Sequence, residues 1–415
     1  MVAYRTKQYS VLAMNTIAFA FNFAVWTMFS VIGLKIKQEL GLSNTQFGIL
    51  IATPILSGSI SRIPFGFLTD HFGGRVVFFM QMLVVSGATY SLALATQYWQ
   101  YLLAGLFVGL AGGSFAIGIA YTSAWFDKDH QGTAMGIFGA GNSGAAITNL
   151  TAPMIIVAAG WRSVPEIYSV AMIIVAIFFW IFTYNEPKSR NRLTEKKYNS
   201  IAEQLEILKE QRVWRFGLYY FFTFGGFVAI ALWLPQYYVS EYSVDIKTAS
   251  VLTALFTLPA GFIRIIGGYI SDKVGARIVN WWVFWVSASC LFFLSYPETN
   301  IVIKGVNDNL EFKLGLNIYV FTLLIFVVGF AQSLGKASVY KSLYDYFPAN
   351  MGLVGGIVGA IGGVGGFVLP ILFGLTSDYT NIRSSCFMLL FVLVAACMLW
   401  MNFSIIHAKK ENEFL

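Results

Sequence analysis

SRIPFGFLTDHFGGR, residues 61–75, returns as FIRIIGGYISDKVGAR at 262–277. Both fit R-x3-G-x3-D-x2-G-x-R: Arg62, Gly66, Asp70, Gly73 and Arg75 match Arg264, Gly268, Asp272, Gly275 and Arg277 at a constant offset of 202. A second set, GTAMGIFGA (132–140) with GLVGGIVGA (352–360) and VGLA (108–111) with VGFA (328–331), repeats at 220. The extra 18 residues fit the polar loop YPETNIVIKGVNDNLEFKLG (296–315), whose counterpart is little more than TQYWQ (96–100). One design is written twice along the chain.

That design is built for lipid. Of 415 residues 57% are hydrophobic and 11% charged, against roughly 25% charged in a soluble domain. A spanning helix needs about 20 apolar residues. Windows of that kind fall at 10–33, 45–69, 76–96, 101–125, 133–158, 164–184, 214–239, 248–271, 279–296, 317–341, 352–376 and 384–406. Long Phe/Leu/Ile runs without period-two alternation argue against a β-barrel. The reading is an all-α membrane protein of twelve spans: a six-helix bundle over 1–184, a linker over 185–213 and a second bundle over 214–415. The first apolar run is too long for a signal peptide and has no small-residue cleavage site, so it stays as a span. Six spans separate equivalent helices, which makes the repeat parallel, with a pseudo-two-fold axis between the bundles. Cys290, Cys386 and Cys397 lie in or beside spans and read as small core residues rather than a disulfide framework.

Lys and Arg set the orientation. With both termini cytoplasmic, the inner segments hold 17 of the 27 basic residues and the outer ones 7. This asymmetry accounts for most of the net charge of +7, and nucleic-acid binding need not be invoked. The linker stretch NEPKSRNRLTEKKYNSIAEQLEILKEQR (185–212) reads as solvated chain or as a short amphipathic helix on the inner surface.

Three ionisable groups fall within spans: Arg62, Arg264 and Lys336. All twenty carboxylates and the three His fall in predicted loops, tails or helix ends. An Arg at mid-span costs at least about 2.5–3.5 kcal/mol and normally pairs or faces water. With no acid at depth, the expected counter-charge is a transported anion. The alternatives are an interhelical salt bridge and snorkelling, since Arg62 lies about 12 Å of helix before Asp70. Small residues flank both guanidiniums: Gly58, Ser59 and Gly66 around Arg62, and Ala260, Gly261, Gly267 and Gly268 around Arg264. A guanidinium fork suits bidentate bonding to oxyanions and stays charged at any working pH. The Gly-rich stretches GIFGAGNSGAAITN (136–149) and GLVGGIVGAIGGVGGFVLP (352–370) read as close packing faces, and Asn142 brings an amide into one of them. Gly139, Gly141 and Gly144, with Gly359, Gly362 and Gly363, are candidate structural or gating positions, as are Asp70, Arg75, Asp272 and Arg277.

The D-x2-G-x-R signature after the second span of each half resembles the inner-loop motif of the major facilitator superfamily. That implies substrate bound between the halves near mid-membrane. Arg in the second and eighth spans, with GAGNSG and GAIGGVGG in the fifth and eleventh, resembles the nitrate/nitrite porters. The resemblance implies that Phe115, in GGSFA (112–116), and Phe224, in TFGGF (223–227), sandwich a planar anion. It also implies that Tyr220 offers a hydroxyl and Asn142 an amide. GKASVYK (335–341) is similar to the segment of porters that take up nitrate with protons, which makes Lys336 the candidate proton group.

The expected function is therefore secondary active nitrate or nitrite transport by alternating access, with proton symport preferred over nitrate/nitrite exchange. The expected setting is a monomer in the lipid bilayer of the plasma (inner) membrane, with no cofactor, metal or nucleic acid. A facilitator for another small organic anion is the alternative. An enzyme would need a nucleophile, metal cluster or acid/base pair at depth, and the sequence offers none.

Overall fold

The computed structural model describes residues 2–126, 134, 135, 137–186, 207–304, 309–347 and 351–410. Most of the linker, including the amphipathic-helix reading, lies outside this set, as does the start of the fifth span at 133.

Eleven helices among the described residues are long and apolar enough to cross a membrane. The fifth span adds its described part, a 3₁₀ turn at Ala140–Ser143 and a helix over Gly144–Ala159. Several helices outrun the hydropathy windows. The first runs over Val2–Thr27, breaks at Met28 and resumes over Phe29–Leu40, so Lys35, Lys37 and Glu39 stand on helix rather than in the expected loop. Gly41 ends it in the left-handed region, and Ser43 opens the second span, Asn44–Phe72, with a reciprocal capping box to Gln46. The eighth span breaks at Pro259 into Ile246–Thr257 and Ala260–Val274. The tenth and eleventh, Ile318–Tyr346 and Met351–Thr380, are continuous.

The repeated glycine of the D-x2-G-x-R signature has a backbone reason. Gly73 and Gly275 end the second and eighth spans at φ +85 and +91, a region open essentially to glycine. Each lets the chain reverse straight into the next span.

The polar loop between the ninth and tenth spans holds a β-hairpin, which its loop reading did not anticipate. β1 (Thr299–Lys304) pairs antiparallel with β2 (Asn309–Leu314), Ile301 opposite Phe312.

The two sets of six spans meet chiefly through the second span against the eleventh and the fifth against the eighth. Glycine makes the first of these contacts close. A Cβ on Gly48 would strike the Pro370 carbonyl, one on Gly374 the Asn44 carbonyl, and one on Gly363 the Ser59 hydroxyl. Hydrogen bonds join the sets from Asn44 and Thr45 to Asp378, from Gln236 to Asn44 and from Asn149 to Thr257. Among the described residues these bonds lie from mid-span to the face away from the basic loops, so that face is the sealed one.

Candidate functional site

Three spans depart from regular α-helix near mid-depth. GLAGG (109–113) is a 3₁₀ turn in the fourth, AGNS (140–143) another in the fifth, and FFTFGG (221–226) a π-helical turn in the seventh. Phe115 follows the first, Asn142 sits on the second and Phe224 on the third. Such local changes of helical pitch re-aim side chains and gather at functional sites. Glycine density permits them, because close neighbours replace the side chains that would enforce regular pitch. Gly225, for example, abuts the backbone of Gly362 and Gly365.

Arg62 sits against aromatic faces. Its guanidinium carbon lies 5.4 Å from the Phe115 ring centroid and 5.8 Å from that of Phe224, within cation–π range. Its Nε is buried without a hydrogen-bond partner. Among the described residues, neither Arg62 nor Arg264 makes an ion pair. Arg264, Tyr220 and Tyr340 all lie within electrostatic range of Arg62.

Arg264 faces a cavity between the halves. Its wall includes Asn142 and Asn149 from the fifth span, Phe224 and Phe227 from the seventh, Thr257 and Arg264 from the eighth, and Lys336 from the tenth. Four sequence candidates, Asn142, Phe224, Arg264 and Lys336, therefore share one wall. Arg62, Phe115 and Tyr220 stand one layer away. Phe224 connects the layers, since its ring also stacks on Tyr220 at 5.2 Å with planes 2° apart.

Lys336 is 6% exposed, and its Nζ lies 3.1 Å from the Phe227 ring centroid. It sits within electrostatic range of Arg264. Asn142 donates through Nδ2 to the Gly139 carbonyl at 2.8 Å. The side-chain oxygen of Asn149, on the same wall, is buried without a partner, as is that of Gln332, whose Nε2 donates to the Phe222 carbonyl at 3.1 Å.

The glycines sort by contact. A Cβ on Gly141 would meet Phe19, and one on Gly144 the Ala20 carbonyl. One on Gly362 would meet the Tyr220 ring, while Gly359 faces the Tyr340 hydroxyl and Gly139 meets nothing within 4 Å.

The repeated signature is used differently in each half. Arg75 stacks on Trp180 at 4.3 Å and donates to the Trp180 carbonyl at 2.7 Å and to Asn185 Oδ1 at 3.3 Å. Gly74 N–H donates to Glu186 Oε1 at 2.6 Å. Burial pushes the Glu186 carboxyl above its ordinary value of 4.5, against the Gly74 hydrogen bond, and nearby Asp70 adds to the rise. In the other half, Lys341 bridges Asp272 at 3.5 Å and Asp345 at 2.9 Å, while Arg277 lies near Arg215 and Tyr219.

Tyr340, inside GKASVYK (335–341), also belongs to the site: its ring packs edge-on against Tyr220 at 5.0 Å and its hydroxyl donates to the Gly355 carbonyl at 3.0 Å. Its position four residues after Lys336 was the available signal. Phe227, Asn149 and Thr257 carried none, because an aromatic or small polar residue in a span is ordinary.

Among the described residues, the arrangement offers fixed cations, aromatic faces and neutral donors around a small space lined by no acidic side chain. A small oxyanion is the complementary guest. No group of three or more His, Cys, Asp or Glu among the described residues could hold a metal.

Known proteins agree on the architecture. The Major Facilitator Superfamily model matches residues 16–306 and 241–413. A bacterial homologue of the human lysosomal transporter Spinster, solved inward-facing and occupied, superposes with TM-score 0.76 over 96% of each chain at 15% identity. The nucleoside transporter NupG does so at 0.73, over 94% of this chain and 99% of that one, at 12% identity. These likenesses carry the fold. Sequence relatives are nearer: the probable nitrate/nitrite antiporter NarK1 of Thermus thermophilus is 39% identical over 98% of this chain and 94% of its own length. The probable nitrate transporter NarT of Staphylococcus epidermidis is 30% identical over 98% of both, and the nitrite extrusion protein of Bacillus subtilis 28% identical over 98% of both. With the twelve-span repeat and near full-length relatives in hand, this chain belongs to the nitrate/nitrite porter family of the major facilitator superfamily.

Proposed function

We propose that the protein is a secondary active transporter that carries nitrate, nitrite or both across the plasma (inner) membrane by alternating access between its halves, 1–184 and 214–415. The observation that carries this reading is a pair of repeat-related arginines in the spans, Arg62 and Arg264, with no acidic partner among the described residues. The anion offsets part of the charge that the two guanidiniums leave uncompensated. Arg62 and Arg264 bind it, Phe224 and Phe115 offer ring faces, and Asn142 and Tyr220 donate hydrogen bonds. The positive-inside rule puts both termini in the cytoplasm, which makes the sealed face the outer one.

Size supports a small ion over an organic one. The cavity measures about 40 Å³, where one water needs about 10–15 Å³ on this scale. A four-atom anion suits it, whereas a dicarboxylate or phosphorylated metabolite would need it to expand.

An anion entering against an inside-negative potential meets about 2.3 kcal/mol per 100 mV, so uptake requires a co-transported cation or an exchanged anion. In the symport reading Lys336, beside Arg264 and desolvated, releases and takes the proton. In the exchange reading, mutual repulsion of Arg62 and Arg264 keeps the empty halves from rocking, and the antiporter relative favours this mode. The protein works as a monomer in either.

Purified protein in vesicles, with or without internal nitrite and with or without a pH gradient, separates the modes. Nitrate uptake that needs internal nitrite and ignores pH assigns exchange; the converse assigns symport; no nitrate flux under any condition overturns the reading. Lys336→Ala is expected to flatten the pH profile of uptake before it weakens nitrate binding, and an unchanged profile removes Lys336 from proton coupling.

A further inference from the structure

We propose that Asp378, at the outer end of the eleventh span, is the latch that holds the outer face shut, and that its release is a step of every transport cycle. This rests on the alternating-access reading above.

Both oxygens of the Asp378 carboxylate are filled from the other half. Oδ1 accepts from Asn44 N–H at 3.1 Å and Asn44 Nδ2 at 2.8 Å; Oδ2 accepts from Thr45 N–H at 2.7 Å and Thr45 Oγ1 at 2.7 Å. The two backbone donors belong to the first turn of the second span, where N–H groups lack helical partners and the helix dipole favours negative charge. Ser43 already serves Gln46 N–H, so a carboxylate from across the interface completes the cap that the second span cannot finish alone. Asn44 is the hub. Its Oδ1 accepts from Lys37 Nζ at 2.5 Å within its own half and from Gln236 Nε2 at 2.8 Å in the other.

The latch closes only at backbone contact. Gly374, four residues before Asp378, lies against the Asn44 carbonyl, and Gly48, four residues after Asn44, against the Pro370 carbonyl. Separation of the spans therefore breaks the whole set together.

The repeat makes the device one-sided. At offset 202 Ser43 corresponds to Asp245, which caps its own eighth span through Thr248 N–H at 3.4 Å. At offset 220 Asp378 corresponds to Ala158, which has no polar side chain. Among the described residues, the side-chain hydrogen bond between the fifth and eighth spans is instead a neutral one, Asn149 Nδ2 to Thr257 Oγ1 at 3.4 Å. Charge-assisted hydrogen bonds are roughly twice as strong as neutral ones, so the second and eleventh spans are the last to part. A vestibule lined by Lys37, Asn44, Trp233, Gln236, Ser377 and Arg383 lies over the latch, and solvent reaches the bonds from outside.

The test measures spin-label distances between Gln38→Cys in one half and Lys247→Cys in the other, in vesicles without nitrate. The three native cysteines are buried. Asp378→Ala is expected to raise the open-to-closed ratio about tenfold or more, Asp378→Glu to restore part of the closed population, and Thr45→Val to shift it the same way by less. Glu241→Gln, which breaks only the Arg383 pair within one half, is expected to leave distances unchanged. If Asp378→Ala fails to fold, the Asn44→Ala/Thr45→Val double variant opens the latch from the other side. Unchanged distances in the Asp378 and Thr45 variants, or an equal shift in Glu241→Gln, overturn the latch. Nitrate uptake by the wild type is measured in parallel: its absence sinks the transport reading while the distance shift still stands for the latch.

Discussion

Arg62 and Arg264 occupy equivalent positions 202 residues apart, but their surroundings are unlike. Arg62 lies against two phenylalanine rings, one from each half, with its Nε buried and unpaired. Arg264 opens onto the cavity beside Lys336. The repeat explains part of the difference. At offset 220 Lys336 corresponds to Ala116, and Asn142 to Gly362. The amide in the fifth span is thus replaced in the eleventh by a gap into which the Tyr220 ring fits. Duplication supplied two like cations, and divergence around them supplied an apolar anchor on one side and a polar wall with a titratable amine on the other.

The arginines give the largest test of that contrast. Arg62→Lys and Arg264→Lys are each expected to abolish nitrate flux, a fall of at least about 100-fold, since charged hydrogen bonds contribute about 1.5–3 kcal/mol each and lysine lacks the fork. Tracer uptake in vesicles checks this. Wild-type rates in either variant end the view that both cations act on one anion.

Next come the rings. Phe115→Leu is expected to cut nitrate affinity about tenfold, from loss of a cation–π contact of about 1–2 kcal/mol, with the same change near Arg264 absent because no ring meets that guanidinium at cation–π distance among the described residues. Binding titration of the purified protein reads it. Unaltered affinity makes Phe115 simple packing.

Gly362→Ala asks whether the asymmetric gap matters. The added methyl meets the Tyr220 ring, and overpacking costs typically about 1–3 kcal/mol, so thermal unfolding should shift down by several degrees. Gly139→Ala meets nothing within 4 Å and should not shift.

The smallest effect compares the two D-x2-G-x-R loops. Burial raises the Glu186 carboxyl above 4.5, so the folded state prefers it protonated. Its stabilising contribution is complete below 4.5 and lost as pH climbs through the raised value. The melting temperature in detergent should fall slightly over that window in the wild type and stay flat in Glu186→Gln; a fall that persists in the variant assigns the dependence elsewhere.

Much of the architecture was legible because a bilayer imposes it residue by residue. Spans announce themselves by length and hydropathy, the repeat by its glycines and arginines, and the positive φ of Gly73 and Gly275 by their identity. Arg62 and Arg264 stood out for the same reason, since a charge among apolar neighbours is visible without a fold. Asp378 carried no such signal. It looked like one more carboxylate at a helix end, and its partners Asn44 and Thr45 lie more than 300 residues away. The β-hairpin was equally hidden in a segment too polar for hydropathy to parse.

By itself, the sequence determined that this chain spans a membrane twelve times, in two copies of one design, with cations but no carboxylates within the predicted spans. Those properties follow from the local cost of placing each residue type in lipid. The tertiary structure decided which side chains meet: Phe224 between Arg62 and the cavity, Lys336 on Phe227, and Asp378 on the second span's first turn. Such meetings depend on the rotation, pitch and register of helices packed from distant parts of the chain, which the local cost of burial leaves open.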